Sequence, residues 1–215
     1  MSNPESFIDE VTEEVRRDKL YGQLKKYGWI GVVAVLLLVG GATVNEWIKA
    51  RDRAEAEATG DAILAAVELD DAAARLATLD GIDAEGDRAA LIALIAAAVA
   101  EDPQEADRRL RTLAEDAGQP ALYRDLAQLK RALLPGALDA EARVEVLTPL
   151  TAPGGAFRVL AEEQIALAEI ELGRTDAART RLEALLNDTE ASQPLRRRVS
   201  QLIVALGGTA PGAAL

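Results

Sequence analysis

The sequence predicts an all-α protein: one N-terminal transmembrane helix followed by a stack of helix pairs. Three observations predict it. Ala, Leu and charged residues dominate while aromatics make up only 3 % of the chain, a mixture that favours helix and fills thin layers between helices better than a sheet sandwich. A single long apolar run lies near the N-terminus. Beyond it, a spacing of small and large apolar residues recurs four times.

Composition also narrows the chemistry. The 215 residues include no His and no Cys, which excludes Ser-His and Cys-His nucleophile pairs, thiolate chemistry and an ordinary zinc site. No cofactor is expected. Net charge is −12, and residues 49–215 account for −10 of it, with 19 Lys and Arg against 29 Asp and Glu. An acidic surface with few aromatic platforms is a poor partner for nucleic acid.

Residues 1–26 read as a cytoplasmic tail. Asn3 and Pro4 resemble an N-cap followed by proline at the first helical position. Phe7, Ile8, Val11 and Val15 then recur at helical spacing as a narrow apolar stripe. Six acids against three bases in residues 1–20 disfavour an anionic lipid surface. The stripe is either a docking helix for a cytoplasmic partner or a solubilising tail.

Residues 27–48 read as the transmembrane helix. Ile30 to Val44 contains no charge, and the twenty residues from Trp29 to Ile48 span about 30 Å as a helix, the thickness of a hydrocarbon core. Tyr27 and Trp29 at one end and Trp47 at the other match interfacial aromatic belts. Arg16, Arg17, Lys19, Lys25 and Lys26 precede the run, whereas only Lys49, Arg51 and Arg53 follow closely. Positive charge is retained on the cytoplasmic side, so the tail is expected inside and the domain across the membrane. A cleaved signal peptide is the competing reading. An acid-rich leading segment and an apolar run longer than an h-region speak against it.

Residues 49–208 read as the repeat domain. Ala166 is followed after seven residues by Gly173, then by Ala178, Leu182 and Leu185 at steps of five, four and three. These are tetratricopeptide spacings: small residues let paired helices approach, and Gly ends the first helix because it reaches φ > 0 without penalty. The second-helix signature recurs as Ala72-Leu76-Leu79, Ala106-Leu110-Leu113, Ala142-Val146-Pro149 and Ala178-Leu182-Leu185, at offsets of 34, 36 and 36, against about 34 for the standard repeat. The fold class is therefore an α-solenoid of tetratricopeptide-like pairs behind the span. First helices are expected at about 50–67, 87–100, 120–134 and 156–172. A capping helix at about 195–206 carries Leu195, Val199, Leu202, Ile203 and Leu206 on one side. Arg196, Arg197 and Arg198 read as its solvated face, and residues 209–215 as a flexible tail. Pro149 requires the third second-helix to be short or to stop there. Leu91 to Ala100 is apolar all round, as a helix buried on two sides is.

Tail, single span and compact repeat domain together resemble the ancillary subunit family of the Sec translocon, inner-membrane tetratricopeptide proteins associated with a periplasmic chaperone network. Tyr27-Gly28-Trp29 before the apolar run is similar to that family's junction. The resemblance implies a bacterial inner-membrane protein with a periplasmic domain that contacts translocon subunits, chaperones or exported chains. A structural assembly factor for a respiratory or outer-membrane complex is the alternative. Counting from Gly173 and its phase equivalents puts Leu91, Ile95, Arg124, Arg131, Glu163 and Leu167 toward the concave side. That mixture of apolar anchors and both charges suits a peptide rather than a small-molecule substrate. The acidic pairs Glu162-Glu163 and Asp70-Asp71 have no Gly-rich loop or electrophile beside them, so an enzyme is not expected.

Overall fold

The computed structural model describes residues 4–208, with side chains described at Lys25 and Lys26 and from Trp29 onward except at Val32. Among the described residues the chain forms α-helices and one short 3₁₀ turn, with no strand. The helices are α1 (Pro4–Val67), α2 (Ala72–Asp80), α3 (Gly86–Val99), α4 (Pro103–Glu115) and α5 (Ala121–Leu133), then α6 (Ala140–Leu147), α7 (Arg158–Glu171), α8 (Thr175–Leu186) and α9 (Gln193–Ala205). The chain divides into two compact units, Met1–Ala58 and Thr59–Leu215.

Among the described residues one helix, over Trp29–Val67, is long and apolar enough to cross a membrane. Its leucines have no protein cover: Leu37 and Leu38 are 72 % and 74 % exposed. The sequence places a tail helix, a span at 27–48 and a first repeat helix at about 50–67 as separate pieces. Instead α1 runs unbroken through all three. No Gly or Pro lies between Lys49 and Ala58, and an i,i+4 ion pair from Arg51 to Glu55 at 2.9 Å supports the turn that follows the span.

In the second unit each helix packs chiefly on its neighbours in the chain. Four small cores follow one another in chain order. Ala66, Leu79, Ile92 and Ala96 join the end of α1 to α2 and α3. Ala90, Leu94, Ala97, Leu110, Leu113 and Ala127 join α3, α4 and α5. Leu129, Ala132, Leu147, Leu150, Ala161 and Ile165 carry the packing from α5 through α6 to α7, and Ala166, Leu182, Leu185, Leu195, Val199 and Ile203 close it across α7, α8 and α9. Three helices serve two cores each. In α3, Ile92 and Ala96 face one core while Ala90, Leu94 and Ala97 face the next. That explains why its sequence is apolar all round.

Helix ends are set locally. Asp71, Asp102 and Asp139 accept hydrogen bonds from the amides of Ala74 (2.7 Å), Gln104 (3.0 Å) and Ala142 (2.8 Å), capping α2, α4 and α6. Gly173 ends α7 with φ +73°, and the amide of Arg174 reaches back to the Glu169 carbonyl at 2.8 Å.

The third second-helix differs from expectation in register. Leu147 and Leu150 are buried, whereas Val146 is half-buried and Pro149 exposed. Pro149 has no amide hydrogen for the α-helical ladder. The chain tightens into a 3₁₀ turn over Thr148–Thr151, where side chains three apart share a face. Deep leucine pairs therefore recur as Leu110/Leu113, Leu147/Leu150 and Leu182/Leu185, at offsets of 37 and 35, while before them Leu79 is buried and Leu76 half-buried.

Candidate partner-binding surfaces

The six residues expected to line a binding side occupy unlike positions. Leu91 is 46 % exposed, but Ile95, one turn on, packs against the core between α1, α2 and α3. Arg124 is half-buried, and its Nε makes no hydrogen bond among the described residues. Arg131 is interior: 7 % exposed, it donates from Nε to Asp107 of α4 at 2.8 Å and from a terminal nitrogen to Gln128 at 3.0 Å. A charge this deep is held in the fold by its partner.

Glu163 and Leu167 are brought together. With Gln164 they form the α7 wall of a groove of about 520 Å³, and Arg198, Gln201 and Leu202 form its α9 wall. Glu163 is only 4 % exposed, and Arg198 grips both of its oxygens, at 2.8 and 2.7 Å. The carboxylate raises the Arg198 guanidinium's affinity for its proton further. Of the three arginines read as a solvated face, Arg197 and Arg198 are exposed, although Arg198 also holds Glu163, and the half-buried Arg196 donates to the Asp188 carbonyl at 2.7 Å. The stripe of Phe7, Ile8, Val11 and Val15 lies within the helical span of α1, but its side chains fall outside the described residues, as do residues 209–215 and the side chain of Tyr27.

Charges elsewhere tie helices together. Arg109 of α4 donates to both oxygens of Asp80 at 2.7 and 2.9 Å, which lowers the Asp80 pKa. Arg158 holds Asp188 and Glu190 across a crevice of about 450 Å³ between α7 and α8; that bond, with the Glu190 amide, lowers the Asp188 pKa. Arg181 sits between Glu162 and Glu169. Burial opposes its charge, yet the two carboxylates outweigh burial and its pKa is raised. The acidic pairs are thus engaged in the fold: Glu162 by Arg181, Glu163 by Arg198, and Asp71 as a helix cap. Among the described residues no three His, Cys, Asp or Glu side chains converge as a metal site.

What the sequence does not reveal is which carboxylate each arginine takes, since the partners lie 24 to 35 residues apart for Arg131, Arg109, Arg158 and Arg198. An Asp stands just before the first turn of α2, α4 and α6, whereas α8 has Arg174 there and no side-chain cap. No family model, no curated protein and no solved structure matches this chain.

Proposed function

We propose that the protein is a membrane-anchored adaptor that binds other proteins: an ancillary, chaperone-like subunit at the Sec translocon of a bacterial inner membrane. In this reading the N-terminus is cytoplasmic and a tetratricopeptide-like α-solenoid meets exported chains or periplasmic chaperones. One observation carries it. Among the described residues consecutive helices pack on their chain neighbours, and one helix near the N-terminus is long and apolar enough to cross a membrane. Asp80–Arg109, Glu141–Arg174 and Glu163–Arg198 link equivalent helices 29, 33 and 35 residues apart. Such arrays present long open surfaces suited to polypeptide segments.

Crosslinking the tagged full-length chain in intact membranes, then extracting it in mild detergent, tests the proposal. Identification of translocon subunits among the crosslinked proteins is the expected result. Recovery of respiratory or outer-membrane assembly subunits alone overturns it in favour of a structural assembly factor.

A further inference from the structure

Between α2, α3 and α4 lies an apolar groove of about 290 Å³, floored by Leu79 and Ile92 and walled by Ile82, Ala84, Ala89 and Thr112. That volume takes one or two aliphatic side chains and is too small for most cofactors. Its rim is acidic for a structural reason. Residues 82–85 run outside the helices with alternating exposure, so that Ile82 and Ala84 turn toward the groove while Asp83 and Glu85 face solvent. Asp87 follows in the exposed first turn of α3.

The rim's carboxylates have no partner among the described residues, while Arg88, next after Asp87, is engaged. Arg109 at the far wall is taken by Asp80 and Glu105, but no described residue forms a hydrogen bond or ion pair with the side chains of Asp83, Glu85 or Asp87. Elsewhere the balance is different. Residues 52–87 contain eleven acids and two bases, whereas residues 88–215 contain eighteen acids and fifteen bases, and most of those later arginines hold carboxylates within the fold. Acid excess and apolar groove therefore coincide at one place.

We infer that this groove docks a cationic segment of a partner protein, one whose aliphatic side chains fill the groove while flanking Lys or Arg residues meet Asp83, Glu85 and Asp87. The inference rests on the protein-binding reading above and names the chemistry of the partner. An anionic lipid or nucleic acid is repelled by the same rim. The free carboxylates steer the encounter and select against acidic partners, and the apolar anchor supplies the hold once water is displaced.

The test uses the full-length chain in a non-ionic detergent and two labelled synthetic peptides. One carries leucines flanked by lysines, and the other has glutamate at each lysine position. Fluorescence anisotropy is expected to show saturable binding of the lysine peptide, weakened by salt, and none of the glutamate peptide. Neutralising the rim with Asp83→Asn, Glu85→Gln and Asp87→Asn together is expected to weaken binding about tenfold, since three exposed ion pairs are lost. Thr112→Trp, at an exposed wall position, plugs the groove and is expected to abolish binding with the melting temperature kept. If either peptide binds equally well, or if the neutralised rim binds as the native chain does, the inference is overturned. The two readings fail separately. Undiminished crosslinking by the neutralised chain removes this groove and leaves the adaptor, whereas peptide binding without any crosslinked membrane partner removes the adaptor.

Discussion

At the scale of single residues, the buried charges decide which surface positions matter. Glu163 sits almost fully out of water and depends on Arg198 for both of its oxygens. Arg198→Ala strands that carboxylate and is expected to destabilise the domain by about 1–3 kcal/mol. Its exposed neighbour gives the control, since Arg197→Ala changes stability by no more than about 0.5 kcal/mol. Equal melting temperatures for the two variants contradict the pairing. Asp80 and Asp188 add to the acid sensitivity of the fold. Both have pKa values depressed below the ordinary 3.8, so their stabilisation is whole above that value and is lost as pH falls through the lower, folded values. Thermal melts are expected to fall steeply below about pH 4, and less steeply in the double variant Arg109→Met/Arg158→Met, where no guanidinium holds either carboxylate. Parallel curves for the two chains rule this out.

At the scale of helices, the pairs are held by small residues and by the register of the leucines. Ala178 is fully buried, so Ala178→Leu overpacks its helix pair and is expected to cost about 1–3 kcal/mol. The third pair offers a sharper comparison. Leu147 is fully buried and Val146 only half so; Leu147→Ala is therefore expected to cost about 2–5 kcal/mol, and Val146→Ala clearly less. Denaturant midpoints in the opposite order would restore the register read from Val146 and Pro149. The breaks around these helices were legible in sequence, because Gly173, Pro149 and the capping aspartates act within one turn of themselves. The one-residue shift was not. It depends on the chain choosing a 3₁₀ turn after Leu147, and a leucine pair either side of a proline satisfies both registers.

At the scale of the whole chain, one apolar helix and a strongly acidic domain define the architecture. Five positive charges precede the apolar run and three follow it closely, so the N-terminus is expected in the cytoplasm and the helix pairs beyond the membrane. Alkaline phosphatase fused after Leu206 should be active, and a reporter that works only in the cytoplasm should be silent there. The reverse pattern sinks both the orientation and the proposed place at an export channel.

The sequence by itself determined the helical class, one N-terminal helix long and apolar enough to cross a membrane, and where several of the later helices end. These follow from propensity, periodicity and end signals, all of which act within a few residues. Only the tertiary structure decided that α1 continues past the span, that Leu147 and Leu150 fill the third core, and that Arg131 and Glu163 lie inside while Leu91 lies outside. It alone brought Leu79, Ile82, Ala84 and Ile92 together around one apolar groove. Each of those outcomes depends on the neighbour that a helix meets some thirty residues away. A helix carrying charges and apolar residues on several sides does not reveal which side its neighbour will cover.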